Sequence, residues 1–336
     1  MKKLLIATTA LVATAGAAAA DISISGDGRM GLVYGPELQY DPATDTFSVE
    51  NETRMSSRLR IAFSASGETD TGLAFGGSVR ADNAGGGAAG TAGSVFISGA
   101  FGKLSMGDVD GAAKAAVGQV SGVGYTGIGD LNEIAYINSG TDFDDDGFAD
   151  TFYPVPSALY EYSFGDTTFY AGIGQIGHQL ATANVAGVPV TIEVGQSYSV
   201  GVKWAGANGL TLAGGYEITE DVNADGNDAS AWAFGADWTN GTFTVKGRYH
   251  MGDWAGLGDI DQLALSADWT SGATTVTGYY RVVDFKDADA KEDAFGLGAA
   301  YDLGGGATIA GGIATIGGDL FDDRETYGDL GIKFSF

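Results

Sequence analysis

The chain has 336 residues, of which 43 are acidic and 17 basic, and its formal net charge of −26 disfavours nucleic acid as a partner while favouring metal cations or a cationic surface. It contains no cysteine, so disulfide frameworks and thiolate sites are excluded; its 56 glycines far exceed the average share of roughly 7% but lack the triplet repeat of collagen. No stretch beyond residue 20 approaches the roughly 18 consecutive apolar residues of a membrane helix, a test blind to barrel strands of about 9 to 11 alternating residues.

The chain opens with Lys2 and Lys3, an apolar run from Leu4 to Gly16 too short to span a bilayer, and Ala18-Ala19-Ala20 before Asp21. This is the layout of a signal peptide over residues 1–20, removed on export, and it leaves one domain over 21–336. From Ile22 the residues alternate. Ile22, Ile24, Met30, Leu32 and Tyr34 share one parity, and Ser23, Ser25, Asp27 and Arg29 the other. That is a strand period. It recurs with Leu59, Ile61 and Phe63 set against Arg58, Arg60 and Ser64, and with Leu73, Phe75 and Val79 against Ser78 and Arg80. Later strands repeat it, as in Tyr198, Val200, Val202 and Trp204, in Phe243, Val245 and Tyr249 against Lys246 and Arg248, and in the closing Ile332, Phe334 and Phe336.

The connections discriminate a membrane barrel from a soluble sandwich. FGK at 101–103, FGD at 164–166, WAGANG at 204–209, WTNG at 238–241, WTSG at 269–272 and YDLGGG at 301–306 each put an aromatic before glycine-rich turn chemistry. Aromatics beside short turns read as an interfacial girdle. Between these lie long polar, acidic connections at 35–53, 82–93, 109–156, 177–196, 219–228, 250–260, 284–293 and 315–326. The expected fold is all-β, a transmembrane antiparallel β-barrel of about 16 strands with about seven short turns and about eight long loops, enclosing a water-filled lumen.

Charged residues of lumen parity then become candidates. Arg29, Arg54, Arg58, Arg60 and Arg80 fall on strands that are neighbours in an up-and-down meander, so they form one basic patch on the wall. The segment 109–156 supplies opposing carboxylates in Asp108, Asp110, Asp130 and Glu133. Within that segment DFDDDGFAD places Asp142, Asp144, Asp146 and Asp150 at the spacing of calcium ligands, with Phe148 offering a carbonyl; DVNADGND places Asp221, Asn223 and Asp225 similarly. Both lack the terminal glutamate, since Tyr153 and Trp232 stand there. Two readings stand for these loops: a bound calcium ion, or a solvated acidic surface that attracts cations bridging lipopolysaccharide. His178 and His250 fall in expected loops and read as solvated, and nothing resembles a nucleophile elbow or a phosphate-binding glycine loop.

SGDGRMG at 25–31, SSRLR at 56–60, SVFISGAFGKLSMGD at 94–108, YDLGGGATIAGGIA at 301–314 and the ending DLGIKFSF together resemble the trimeric general porins of alphaproteobacteria, in particular those of Rhodobacter-type photosynthetic bacteria. Phe336 also looks like the terminal aromatic that outer-membrane assembly machinery recognises. The resemblance implies a homotrimer in the bacterial outer membrane, in contact with its lipid and lipopolysaccharide, with a long third loop folded into each lumen. GYTGIGDLNEI, which holds Asp130 and Glu133, looks like the tip of that loop. On this reading the arginines and carboxylates face each other across a constriction, and the protein is a general diffusion porin for ions and small hydrophilic solutes, not an enzyme. The alternatives are arginines that only hold the third loop, a solute-selective channel, and a lipase or adhesin built on the same barrel.

Overall fold

The computed structural model describes residues 21–41, 46–82, 91–137, 157–174, 179–185, 188–194, 196–220, 228–254 and 258–336. The strands are β1 (Asp21–Asp41), β2 (Thr46–Glu68), β3 (Ala74–Asp82), β4 (Thr91–Gly99), β5 (Gly102–Gly107), β6 (Ser157–Phe164), β7 (Thr167–Ile173), β8 (Gln179–Val185) and β9 (Val188–Val194). They continue with β10 (Ser197–Ala205), β11 (Leu210–Thr219), β12 (Ala229–Thr239), β13 (Phe243–Trp254), β14 (Gly258–Ser271), β15 (Thr274–Phe285), β16 (Ala290–Gly304), β17 (Ala307–Gly318) and β18 (Glu325–Ser335). Among the described residues, one α-helix, α1 (Ala112–Val117), lies between β5 and β6.

Among the described residues, every strand but β8 and β9 joins one closed antiparallel barrel of sixteen strands. Closure is made by β1 against β18, from Asp27 opposite Ser335 to Tyr34 opposite Gly328, and Phe336 exchanges backbone hydrogen bonds with Gly26 at 2.8 and 2.9 Å. A closed sheet leaves no unpaired edge, which is what a bilayer core without water demands. The alternation sorts side chains as expected: Met30, Leu32, Met55, Phe63, Val200, Leu265 and Leu330 are exposed on the outer face, while Arg29, Arg58, Ser199 and Arg248 take the inner parity. The glycine-rich segments near 94–107 and 167–176 are strands too, β4, β5 and β7.

The short connections follow their turn chemistry. Asn240 accepts the N–H groups of Thr242 and Phe243 on its Oδ1 at 3.0 and 2.8 Å, and Gly241 takes φ +87, a conformation glycine adopts without strain. Several long connections differ from expectation. β1 and β2 stay paired out to Asp41 opposite Thr46, β13 reaches Trp254, β15 reaches Phe285, and 177–196 contains the β8–β9 hairpin. Polar sequence conceals these extensions because strands beyond the bilayer need no apolar outer face, yet their backbone groups still gain by pairing. The same extension corrects the reading of His250: it belongs to β13 and is fully buried, not solvated in a loop. His178 lies outside the described residues.

The apolar core does not sit between strands. It forms where residues 108–137, the start of the long third connection, lie against the inner wall. Ala113, Ala116, Val117, Val120, Ile134 and Tyr136 pack on Ala233 and Ala264. Val123, Ile128 and Leu131 pack on Tyr279, Ala294, Ala314 and Ile316, and Ile137 packs on Ala229, Ala231, Trp254, Ile260 and Val283. Burying a side chain such as Ile134 contributes about 1.5–3 kcal/mol, so this inner segment is held by a core of its own.

Candidate functional site

A chain segment lying flat on a sheet needs small residues on both surfaces, and this one has them. Helix α1 is AAKAAV, with Ala112, Ala113, Ala116 and Val117 buried. Beneath it Gly201 and Gly215 stand opposite each other on β10 and β11. A methyl group on Gly215 would lie 2.7 Å from Ala113 Cα, and one on Gly201 would lie 2.7 Å from Ala116 Cβ. Further round, Gly298 and Gly312 form a second facing pair under Val123 and Gly124, and Gly31 and Gly331 a third under Tyr125. These six glycines of lumen parity are therefore a track on which the segment rests.

Polar clamps then fix its register. Ser199 Oγ accepts the N–H of Ala112 at 2.8 Å, supplying a partner to the first turn of α1. Arg248, 5% exposed, donates to the carbonyls of Gly118 and Gln119, both at 3.1 Å, while its Nη2 donates to Asp237 Oδ2 at 3.2 Å. Ser121 donates to Asp268 at 2.8 Å. Thr126 donates its backbone N–H and its hydroxyl to Asp329 Oδ2, each at 2.7 Å. Arg281 donates to the carbonyl of Glu133 at 3.3 Å and is ion-paired with Glu292. Gln262 brackets Ala135 by both its N–H and its carbonyl, and Glu217 accepts the N–H of Ile137 at 2.7 Å. Tyr136 donates its hydroxyl to Gly118 at 2.8 Å; burial above all, then the neighbouring Glu217 carboxylate, push its phenol well above the ordinary range, so it remains a donor at any working pH.

The expected basic residues occupy the inner parity of β1, β2 and β3. Arg29 and Arg58 stand directly opposite each other, and Arg60 stands between Asp27 on one neighbour and Asp82 on the other. Arg58 lies 3.6 Å from Asp27. Arg29 reaches the inner segment, donating to the carbonyl of Thr126 at 3.0 Å, so for this arginine a loop-holding contact is present. Among the expected acids, Asp110 pairs with Lys114 at 3.6 Å within the same segment. Asp108 follows β5 directly, its N–H bound to Gly93 at 2.9 Å. Asp130, at φ +47, accepts the N–H of Glu133 on its backbone carbonyl at 2.8 Å, which gathers these two residues in one turn. The expected calcium ligands Asp142, Asp144, Asp146, Phe148 and Asp150, and Asp221, Asn223 and Asp225, lie outside the described residues.

Sequence reading missed the clamps on β11–β15 and β18: Glu217, Asp237, Arg248, His250, Gln262, Asp268, Arg281 and Asp329. Arg248 had a signal, a cation of lumen parity far along the chain from the basic patch. Glu217 and Asp329 had only their parity, which does not tell a solvated lumen residue from one buried beneath another segment.

The sequence profile of the Gram-negative porin family matches residues 7–319. A porin of Rhodobacter capsulatus is 34% identical to this chain, covering 94% of it and all of the relative. A porin structure refined at 1.8 Å resolution superposes with a TM-score of 0.69 at 33% identity, over 94% of this chain and all of that one. A triple mutant of the Rhodopseudomonas blastica porin does so with a TM-score of 0.66 at 26% identity, with the same coverage.

Proposed function

Because the chain belongs to the Gram-negative porin family and is thus an outer-membrane β-barrel forming a general diffusion channel, we propose that its selectivity is set between the inner segment and the basic wall. The observation that carries this reading is the distribution of contacts. Residues 108–137 rest mainly on β7 and β10–β18, with further contacts from Tyr125 to Gly31 of β1 and Ser56 of β2, from Arg29 to Thr126 and from Asp108 to Gly93 of β4, while Arg54, Arg58, Arg60 and Arg80 take the inward parity of β2 and β3. The open path runs between the carboxylates of Asp130 and Glu133 and those arginines, with Asp108 and Asp110 at its margin. Walls of opposite sign impose a transverse field in which dipolar solutes align, whereas an apolar solute must displace oriented water. Ions and small hydrophilic molecules pass with a modest preference for cations, and no catalytic step is assigned to the chain.

The single-channel conductance of the purified protein in a planar bilayer tests this, with the reversal potential under a salt gradient giving ion preference. Large steps with a small cationic preference are expected; absence of conductance from folded barrels would overturn the reading. Steps that open or close in threes would support a homotrimer, the state its porin relatives suggest for this chain, with lipid and lipopolysaccharide at its rim. The acidic stretches at 142–150 and 221–225 are proposed to take up calcium weakly through carboxylate oxygens. Unfolding temperature should then fall on chelation, and less so in Asp142→Ala with Asp144→Ala; equal unfolding of the two proteins with and without calcium would reject it.

A further inference from the structure

His250 is fully buried where β13 meets the returning end of the inner segment. Its Nε2 lies 3.1 Å from Glu217 Oε1, and its Nδ1 lies 3.3 Å from Gln262 Nε2. The carboxamide of Gln262 is not free to choose an orientation. Its Oε1 accepts the N–H of Ala135 at 2.9 Å and its Nε2 donates to the carbonyl of Ala135 at 3.0 Å, and a backbone amide group admits no other assignment. The second hydrogen of Gln262 Nε2 is consequently directed at His250 Nδ1, which must accept it. The ring proton is left on Nε2, where it is donated to Glu217. Glu217 Oε1 in turn accepts the N–H of Ile137.

We propose that Glu217, His250 and Gln262 are positioning residues for the constriction, and that they anchor the inner segment only while His250 is neutral. This rests on the reading of that segment as the constriction. Protonation places a hydrogen on Nδ1, facing the amide hydrogen of Gln262. Turning the carboxamide relieves that clash but sets oxygen against the carbonyl of Ala135 and nitrogen against its N–H, so both bonds to the segment are lost. Acid thus releases Ala135, two residues from Glu133, from its side-chain anchor, while Glu217 still accepts the N–H of Ile137.

The surroundings offer His250 no substitute acceptor among the described residues packed on it. Glu217 is the carboxylate in contact from β11, and it already receives Nε2. From the inner segment Tyr136 meets the imidazole edge-on at 5.5 Å, its hydroxyl committed to Gly118, with Glu133 and Asp110 acting on the same phenol from nearby. On β13 itself the indole of Trp254 closes another side at 5.7 Å, and Arg248 is held by Asp237. β12 contributes Ala231 and Ala233, β14 contributes Ile260 beside Gln262, and Arg281 on β15 is paired with Glu292.

The chain has two histidines, so His178→Gln leaves His250 as the single imidazole in a nitrogen-15 spectrum of the detergent-solubilised barrel. The expected spectrum at neutral pH is that of the Nε2–H tautomer; an Nδ1–H tautomer, or an imidazolium, would overturn the proposal. In bilayers the wild type should show several-fold more frequent closures at about pH 5 than at about pH 7.5. His250→Gln, which keeps a donor and an acceptor but does not titrate, should flatten that ratio to near one; an unchanged ratio would overturn the proposal. Should that variant fail to fold, Gln262→Met should show acid-like closures already at neutral pH, and wild-type behaviour in it would be equally fatal. Absence of conductance in every protein would count against the channel reading instead, leaving the tautomer to decide this one.

Discussion

The wall of β1–β3 and the wall of β10–β18 are built from the same two-residue alternation, yet they arrange charge differently. On β1–β3, cations crowd together: Arg29 and Arg58 are cross-strand partners, Arg54, Arg60 and Arg80 share their parity, and Asp27 stands among them, 3.6 Å from Arg58. Like charges set so closely repel, an arrangement that is tolerable where water and an opposing acidic surface can screen it. On β10–β18, charges come in closed sets under the inner segment, Arg248 with Asp237 and Arg281 with Glu292, and each set extends a hydrogen bond to a loop carbonyl. The difference teaches that inward parity alone has two meanings, a group facing the aqueous path and a group buried beneath a second layer of chain.

If that division holds, disturbing the second wall should cost stability and steadiness of the channel, whereas disturbing the charges that face the path should alter selectivity. Arg248→Ala should have the largest effect, because it strips the half-buried Asp237 of its cation and two loop carbonyls of their donor. A loss of about 2–4 kcal/mol is expected, seen as a lower unfolding temperature in detergent and frequent closures in bilayers. Stability equal to wild type would break the comparison. Gly215→Val comes next, since a side chain there meets Ala113 within contact distance; about 1–3 kcal/mol should be lost, with ion preference retained in the open state. A tighter or unchanged unfolding transition would show that the segment does not rest on its glycine track. Smallest in energy is Asp130→Asn with Glu133→Gln, within about 0.5 kcal/mol of wild type, but it should move the reversal potential toward zero by reducing cation preference. Unchanged selectivity would remove these two acids from the filter.

How far the sequence could be read follows the same line. Strand count, short-turn positions and the inward parity of the five arginines were legible, because each depends on residues near in sequence: an alternating pair, an aromatic before Asn-Gly, a glycine turn. The extensions of β1, β2 and β13 were not legible, since above the bilayer a strand loses its apolar outer face and looks like a polar loop. His250 shows the consequence. In the sequence it stands in YHMGD, between a strand and an acidic stretch, and only the pairing of β13 out to Trp254 places it under Ile137 and Tyr136.

The sequence by itself determined the class of this protein: an alternating, glycine-rich, cysteine-free chain whose outward residues suit lipid and whose inward ones suit water. Alternation is a local property, fixed by the geometry of a strand, and needs no knowledge of what lies opposite. Which inward residues serve the path and which serve the inner segment was decided by the tertiary structure alone. That choice depends on where residues 108–137 come to rest, and the contacts that seat them join positions up to 203 residues apart, as between Thr126 and Asp329. Glycine on the wall, alanine on the helix and a carboxylate two strands away acquire their roles only when the barrel has closed and brought them to the same few ångströms.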